Sequence, residues 1–370
     1  MKEQLHTYSI GDIAQKRIYG RTSKKDFLVL FWAASGLEIK VKSKEVWALI
    51  ESDYDLSESW ITVKINGYRY SRQSLKKGSQ WVCLMHNMNP ENETTILLQR
   101  DTQPMPGEDN NVVIIHKIAM PTDAAFCPVD HKDMHIEFIG DSITSGEGLY
   151  GNPNEMDFIT QNFGGTKTYA VQAAEKLNAS YDIISQCGWG ISYGWNGSTF
   201  MALPPHYNNV CSLMEGRRQQ NLGSTDAYDF CRKADVVVIN LGTNDNGGIA
   251  QTAYTGDRNE KIVDDTCNFL KSIRDKNPDA TIVWTWGMMT LDVVPQLIQQ
   301  GIEKFKTVTN DNSVYTLVLD PMEKLEFSDE DKGSRNHPGP ATHKAAAEKI
   351  VSFIKNNGAA RKAEASEQHL

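Results

Sequence analysis

The pattern of apolar residues changes once along this chain, near residue 130, and that change constrains the fold more than any single motif. Before it, apolar and β-branched residues come in short alternating runs, among them "EVWALIES", "SWITVKINGYRYSRQSL", "TTILLQR" and "NNVVIIHKI". Clusters of Gly, Asn, Asp and Pro separate the runs, and no stretch keeps a helical period. A period of two between turn residues specifies antiparallel strands. Asn66-Gly67 adds a hairpin signal, because this dipeptide accepts the positive φ angles of a tight turn. Residues 1–130 are therefore expected to form an all-β sandwich, jelly-roll-like.

From His135 the runs "HIEFIG", "YDIISQ", "DVVVINLG", "TIVWTW" and "VYTLVLD" are almost continuously apolar and alternate with amphipathic segments. Strands apolar on both faces belong in a parallel sheet covered on both sides by helices. Residues 131–358 are expected to form a three-layer α/β domain, flavodoxin-like, with a five-stranded parallel sheet. The last helix shows the logic: Pro340 suits a first turn, and Ala346, Ile350, Val351 and Ile354 share one stripe. The polar tail 359–370 is expected to be disordered.

The bulk numbers exclude several classes. A net charge of -9 argues against a nucleic-acid partner, which selects basic faces. No run approaches the roughly 18 apolar residues of a membrane span, so no membrane partner is expected. The N-terminus shows no apolar secretory core, and the six cysteines are scattered without a C-x-x-C pair. Free thiols and a cytoplasmic location are the expectation, with the sequons at Asn92, Asn178 and Asn196 unused.

Ligands of open α/β sheets bind beyond the carboxyl ends of the strands. There this chain places Gly140-Asp141-Ser142, then "SQCGWGISYGWNG", Gly242-Thr243-Asn244-Asp245, Trp286-Gly287 and "RNHPGPATH". That set can perform acyl transfer. Ser142 needs a base to become a nucleophile, and His337 can supply it. The amides of Ser142 and Gly188 and the side chain of Asn244 can hold the oxyanion, and a helix starting at Ser142 would add its dipole.

The order "GDSIT", "GTND", "NHPGPATH" resembles the SGNH (GDSL-type) hydrolases. Their namesake Ser, Gly, Asn and His fall on Ser142, Gly188, Asn244 and His337, with Gly190 the alternative glycine. A β-sandwich ahead of such a domain resembles carbohydrate esterase family 2. SGNH enzymes commonly carry Asp-x-x-His, whereas Ser334 stands three residues before His337. The resemblance thus implies a Ser-His dyad, a variation known in that family. A backbone carbonyl would orient the imidazole, with Asp331 the weaker alternative.

The remaining residues have bland readings beside sharp ones. Asp141 is expected to bind its own loop amides and also counts, with Trp189 and Trp286, as a candidate substrate-binding residue. Trp189, Tyr193, Trp195, Trp284 and Trp286 crowd the rim, where aromatic faces can stack on sugar. Asp245 reads as a turn carboxylate and His343 as a packed helix residue. His131 and His135 lack any H-E-x-x-H frame, so no metal is expected; no cofactor is expected either. The resemblance implies removal of O-acetyl groups from hexose- or xylose-based oligosaccharides, with the 6-hydroxyl a common site. The alternatives are a lysophospholipase or thioesterase, or a carbohydrate-binding protein with a vestigial site.

Overall fold

The computed structural model describes residues 5–251, 256–322 and 330–367. The N-terminal strands are β1 (Leu5–Ser9), β2 (Lys16–Tyr19), β3 (Leu28–Val29), β4 (Gly36–Lys42), β5 (Val46–Asp53), β6 (Trp60–Ile65), β7 (Tyr68–Ser74), β8 (Gly78–Met85), β9 (Glu93–Arg100), β10 (Val112–Pro121) and β11 (Ala125–Cys127). They form two antiparallel sheets. One has the order β1-β10-β5-β8 with β3 also on β10, the other β11-β4-β9-β6-β7 with β2 on β4. Alternate residues such as Ala48, Ile50, Ile61, Val63, Ile96 and Leu98 point inward to a common core, as period-two strands require. Asn66 and Gly67 turn β6 into β7 with φ of 50° and 83°.

The second half is a parallel sheet of β12 (Met134–Gly140), β13 (Ala179–Ser185), β14 (Val236–Asn240), β15 (Thr281–Trp286) and β16 (Val314–Val318), in the order β13-β12-β14-β15-β16. Its helices are α1 (Ser142–Ser145), α2 (Tyr169–Lys176), α3 (Arg217–Asn221), α4 (Thr243–Gln251), α5 (Gly256–Lys276), α6 (Val294–Thr309) and α7 (Pro340–Glu367). Ile136, Phe138, Val236 and Val238 face α2 and α7, while Ile139, Val237, Ile239 and Ile282 face α5 and α6. The strand order reverses between β12 and β14, so the crevice expected of such sheets opens above these two strands.

The connection from β13 to β14 is not a helical crossover. Residues 186–235 wind irregularly and contribute Trp189, Tyr207, Val210 and Phe230 to the core. Val29, Phe31 and Trp32 of the sandwich join that same core. Polar contacts lock the seam. The buried guanidinium of Arg21 pairs with Glu137 of β12 at 2.9 Å. Trp32 donates to the Val210 carbonyl at 2.7 Å, and Gln99 to the Tyr181 hydroxyl at 2.6 Å. The sandwich therefore serves as a covering layer of the parallel sheet.

The C-terminal end differs from expectation. α7 continues to Glu367 rather than dissolving at residue 359, because "AARKAEASE" consists largely of strong helix formers. Residues 368–370 lie outside the described part. The six cysteines are free thiols.

Candidate active site

β12 ends at Gly140, and the chain turns at once into the single turn α1. Asp141 caps that turn, its carboxylate accepting from the Ile143 amide at 3.0 Å. Burial pushes the Asp141 carboxyl up to about 7, against the bonds from Ile143 and the Thr243 side chain. Ser142 is thereby held at the sheet edge, only 6% exposed. Its Oγ lies 2.8 Å from His337 Nε2.

The histidine arrives on a turn spanning Ser334–Asn336, where Arg335 and Asn336 have φ of 56° and 57°. Left-handed backbone costs a non-glycine residue about 1–2 kcal/mol. Here it aims the Arg335 carbonyl at His337 Nδ1, 2.9 Å away. A carbonyl oxygen can only accept, so Nδ1 carries the hydrogen. Nε2 is left to accept from Ser142. Ser334, where an orienting acid would stand, is buried and receives Asn162 at 3.5 Å.

Two further turns close on this pair. β12 and β14 pair in parallel with Gly140 opposite Asn240, so the turns carrying Ser142 and Asn244 leave the same end of neighbouring strands. Asn244 donates one amide hydrogen to the Trp189 carbonyl at 2.9 Å, leaving the second for a ligand. On the other side the Cys187 thiol lies beside Glu147, whose carboxylate is 3.6 Å from His337 Nε2. Gly188, between Cys187 and Trp189 in the chain, has φ of 77°, a left-handed conformation that glycine adopts without strain. The Gly190 amide is already spent on the Met201 carbonyl at 3.0 Å. This geometry favours Gly188 as the donor.

The loop is braced from behind. The Asp245 carboxylate accepts the amides of Ile191, Ser192 and Tyr193 at 2.8–2.9 Å. Burial pushes its carboxyl up to about 6, opposed by those amides. From the sandwich, the Gln103 side chain accepts the Cys187 amide at 2.8 Å. Chemically, the site presents a serine hydroxyl within hydrogen-bond distance of an imidazole whose other ring nitrogen is held by a backbone carbonyl.

The GDSL-like lipase/acylhydrolase family model matches residues 138–345. The chain belongs to that family. An acetyl xylan esterase, Est2A, from the rumen bacterium Butyrivibrio proteoclasticus is 32% identical, with a TM-score of 0.90 over 95% of this chain and 98% of its own. Cellulase/esterase CelE of Acetivibrio thermocellus is 27% identical over 334 residues, 88% of this chain but 37% of that protein. The chain thus spans little more than a third of that curated relative. A family two carbohydrate esterase from Clostridium thermocellum, solved with cellohexaose, shares the fold at 24% identity and a TM-score of 0.77, over 92% of this chain and 98% of that one. Each of these three relatives of the chain is named as an esterase, and two of them as acting on carbohydrate.

Two expected substrate contacts need correction. The Trp189 indole is buried at 3% exposure against Phe200 and His206, because the glycine turn folds it inward. Asp141 is wholly buried beneath α1 and is a cap, not a ligand group. Trp286 is half-buried at the end of β15, packed against the core. Among the exposed aromatics near the site, Trp195 is 54% accessible and its ring lies against Gly188, while Phe200, 69% accessible, packs on Trp189.

The histidines of bland reading are structural. His343 is buried, accepts the Tyr169 amide at 3.0 Å and stacks on Tyr169. His135 pairs with Ser180 and Asp182 inside the seam. Among the described residues no cluster of three metal-ligating side chains occurs.

Missed by sequence reasoning were Glu147, Arg335, Gln103 and the choice of Trp195. The only available signal was an acidic residue inside the otherwise small, uncharged turn "TSGEGLYG".

Proposed function

We propose that this protein is a serine esterase that removes O-acetyl groups from carbohydrate. The 2.8 Å approach of His337 Nε2 to Ser142 Oγ, with the opposite ring nitrogen held by a carbonyl, carries the reading. His337 takes the Ser142 proton as Oγ attacks the acetyl carbonyl. The amides of Ser142 and Gly188 and the free hydrogen of Asn244 receive the oxyanion. As the oxyanion collapses and the bond from carbon to the sugar oxygen breaks, His337 gives its proton to that oxygen, which departs as a hydroxyl and leaves an acetyl-enzyme. Water, deprotonated by the same imidazole, attacks it and acetate leaves. The helix dipole contributes little, since α1 is one turn long; the individual amides do the work.

Acetylated oligosaccharide is the proposed substrate because those relatives are named as esterases, two of them acting on carbohydrate, and an exposed indole stands beside the oxyanion glycine. Xylose- or hexose-based chains fit this reading, a 6-O-acetyl group among them. The test is acetate release from acetylated xylo- and manno-oligosaccharides and from p-nitrophenyl acetate, wild type against S142A. Turnover retained by S142A, or a preference for octanoyl over acetyl esters, dismisses the proposal.

A further inference from the structure

The dyad has no carboxylate on the Nδ1 side of its imidazole, yet one stands on the other side. Glu147 follows α1 in the same turn as the nucleophile, its amide donating to the Ser142 carbonyl at 3.0 Å. Its side chain is 4% exposed, and its two oxygens have different partners. Oε1 accepts from Arg335 Nε at 2.6 Å, while Oε2 faces His337 Nε2 at 3.6 Å. The Cys187 thiol lies beside this carboxylate. One buried group thus borders the turn after β13 and bonds the histidine turn from the loop after β12.

The separation of 3.6 Å is too long for a hydrogen bond, so Glu147 leaves Nε2 to Ser142. It is short enough for charge to act. When Oγ attacks, the O–H pair of electrons becomes the new bond to carbon, the proton moves to Nε2 and the carbonyl π pair moves to oxygen. The ring becomes an imidazolium beside a buried carboxylate. A carboxylate at that distance stabilises positive charge as it develops on the ring in the transition state. Arg335 offsets part of that charge, but its guanidinium is 36% exposed and also bonds the Met156 carbonyl. The arrangement forms a closed circuit. Glu147 fixes the Arg335 side chain, the Arg335 carbonyl fixes Nδ1, and Nε2 faces Glu147 again.

We infer that Glu147 supplies, from the nucleophile's side of the ring, the negative charge that an acid three residues before the histidine would otherwise provide. It also clamps Arg335 in the backbone conformation that presents the orienting carbonyl. Glu147 is therefore a positioning and charge-stabilising residue of this dyad, an inference that rests on the esterase reading above.

The test compares wild type, S142A, E147Q, E147D, R335G and E147Q/R335G, with kcat and KM for p-nitrophenyl acetate and melting of each. E147Q keeps the shape and an acceptor for Arg335 and Cys187 but loses the charge. The expected result is a fall in kcat of about tenfold to a hundredfold with KM nearly unchanged. E147D, which keeps the charge, loses less. Glycine accepts the left-handed backbone at 335 and keeps the carbonyl, so R335G removes the clamp, together with the contacts to Met156 and Phe158, and leaves the orienting group in place. E147Q still lowers kcat in that background, a comparison that decides the matter if E147Q alone melts early. An E147Q enzyme within about twofold of wild type overturns the inference, as does a cost that vanishes in R335G. Wild type that releases no acetate, or S142A that does, overturns the esterase reading and this inference with it.

Discussion

On the proposed mechanism Asn244 has two tasks for one amide group, and truncating it separates them. One hydrogen of Nδ2 is spent on the buried Trp189 carbonyl at 2.9 Å. The other is free to meet charge that exists only in the tetrahedral intermediate. In N244A the second loss raises the barrier by about 2.7–4 kcal/mol, roughly a hundredfold to a thousandfold in kcat. KM should stay nearly constant, since the ground-state carbonyl gains little from that donor. The first loss strands a buried carbonyl, costing about 1–3 kcal/mol of stability. At about 1.3 °C per kcal/mol for a chain of 370 residues, the midpoint should fall by about 1–4 °C. Steady-state kinetics on p-nitrophenyl acetate and calorimetry of the same preparation read the two effects independently. A kcat within about tenfold of wild type would refute the oxyanion role. A loss carried mainly by KM would refute the claim that the donor acts on the transition state.

Q103A should leave the Cys187 amide unpaired beside the oxyanion turn, lowering both kcat and denaturant stability, the latter by about 1–3 kcal/mol; unchanged values would remove the sandwich from the catalytic apparatus. W195A should raise KM for acetylated oligosaccharide several-fold, on the order of 1 kcal/mol of lost stacking, while p-nitrophenyl acetate turnover stays put; equal effects on both substrates would count against a sugar platform. Burial holds the His343 imidazole down to about 3, so the folded state keeps it neutral while the unfolded chain binds a proton below about 6.5. Its contribution is full above that value and is lost as pH falls towards 3, at about 1.4 kcal/mol per pH unit. H343Q keeps an acceptor for the Tyr169 amide without the proton site, so wild type should lose stability relative to H343Q between pH 6.5 and 5. Parallel curves in urea titrations would contradict this.

Much of the fold was legible because its periodicities are strong. Val236–Asn240 is buried at every position, the signature of a parallel strand covered on both faces, and it reads so from "DVVVIN" alone. Residues 186–235 carry no period, so their role in covering the sheet, with Trp32 laid over them, was invisible. Ser142, Asn244 and His337 were legible because each closes a strand end or opens a helix with a chemically distinctive residue. The choice between Gly188 and Gly190 was not, since it depends on which amide Met201 occupies. Trp189 read as a rim residue because its neighbours are glycines, yet the same turn directs it inward. Glu147 and Arg335 lie 188 residues apart, and a charge in a glycine-rich turn ordinarily reads as solvated.

The account's central claim is that Ser142, deprotonated by a carbonyl-oriented His337, becomes acetylated during turnover. Rapid quenching with acetylated oligosaccharide, followed by peptide mass spectrometry, tests it directly. The account expects an acetyl group on Ser142 that forms and decays with turnover in wild type and fails to form in H337A. Acetate release without any acetylated Ser142, or an acetyl group on another residue, would contradict it.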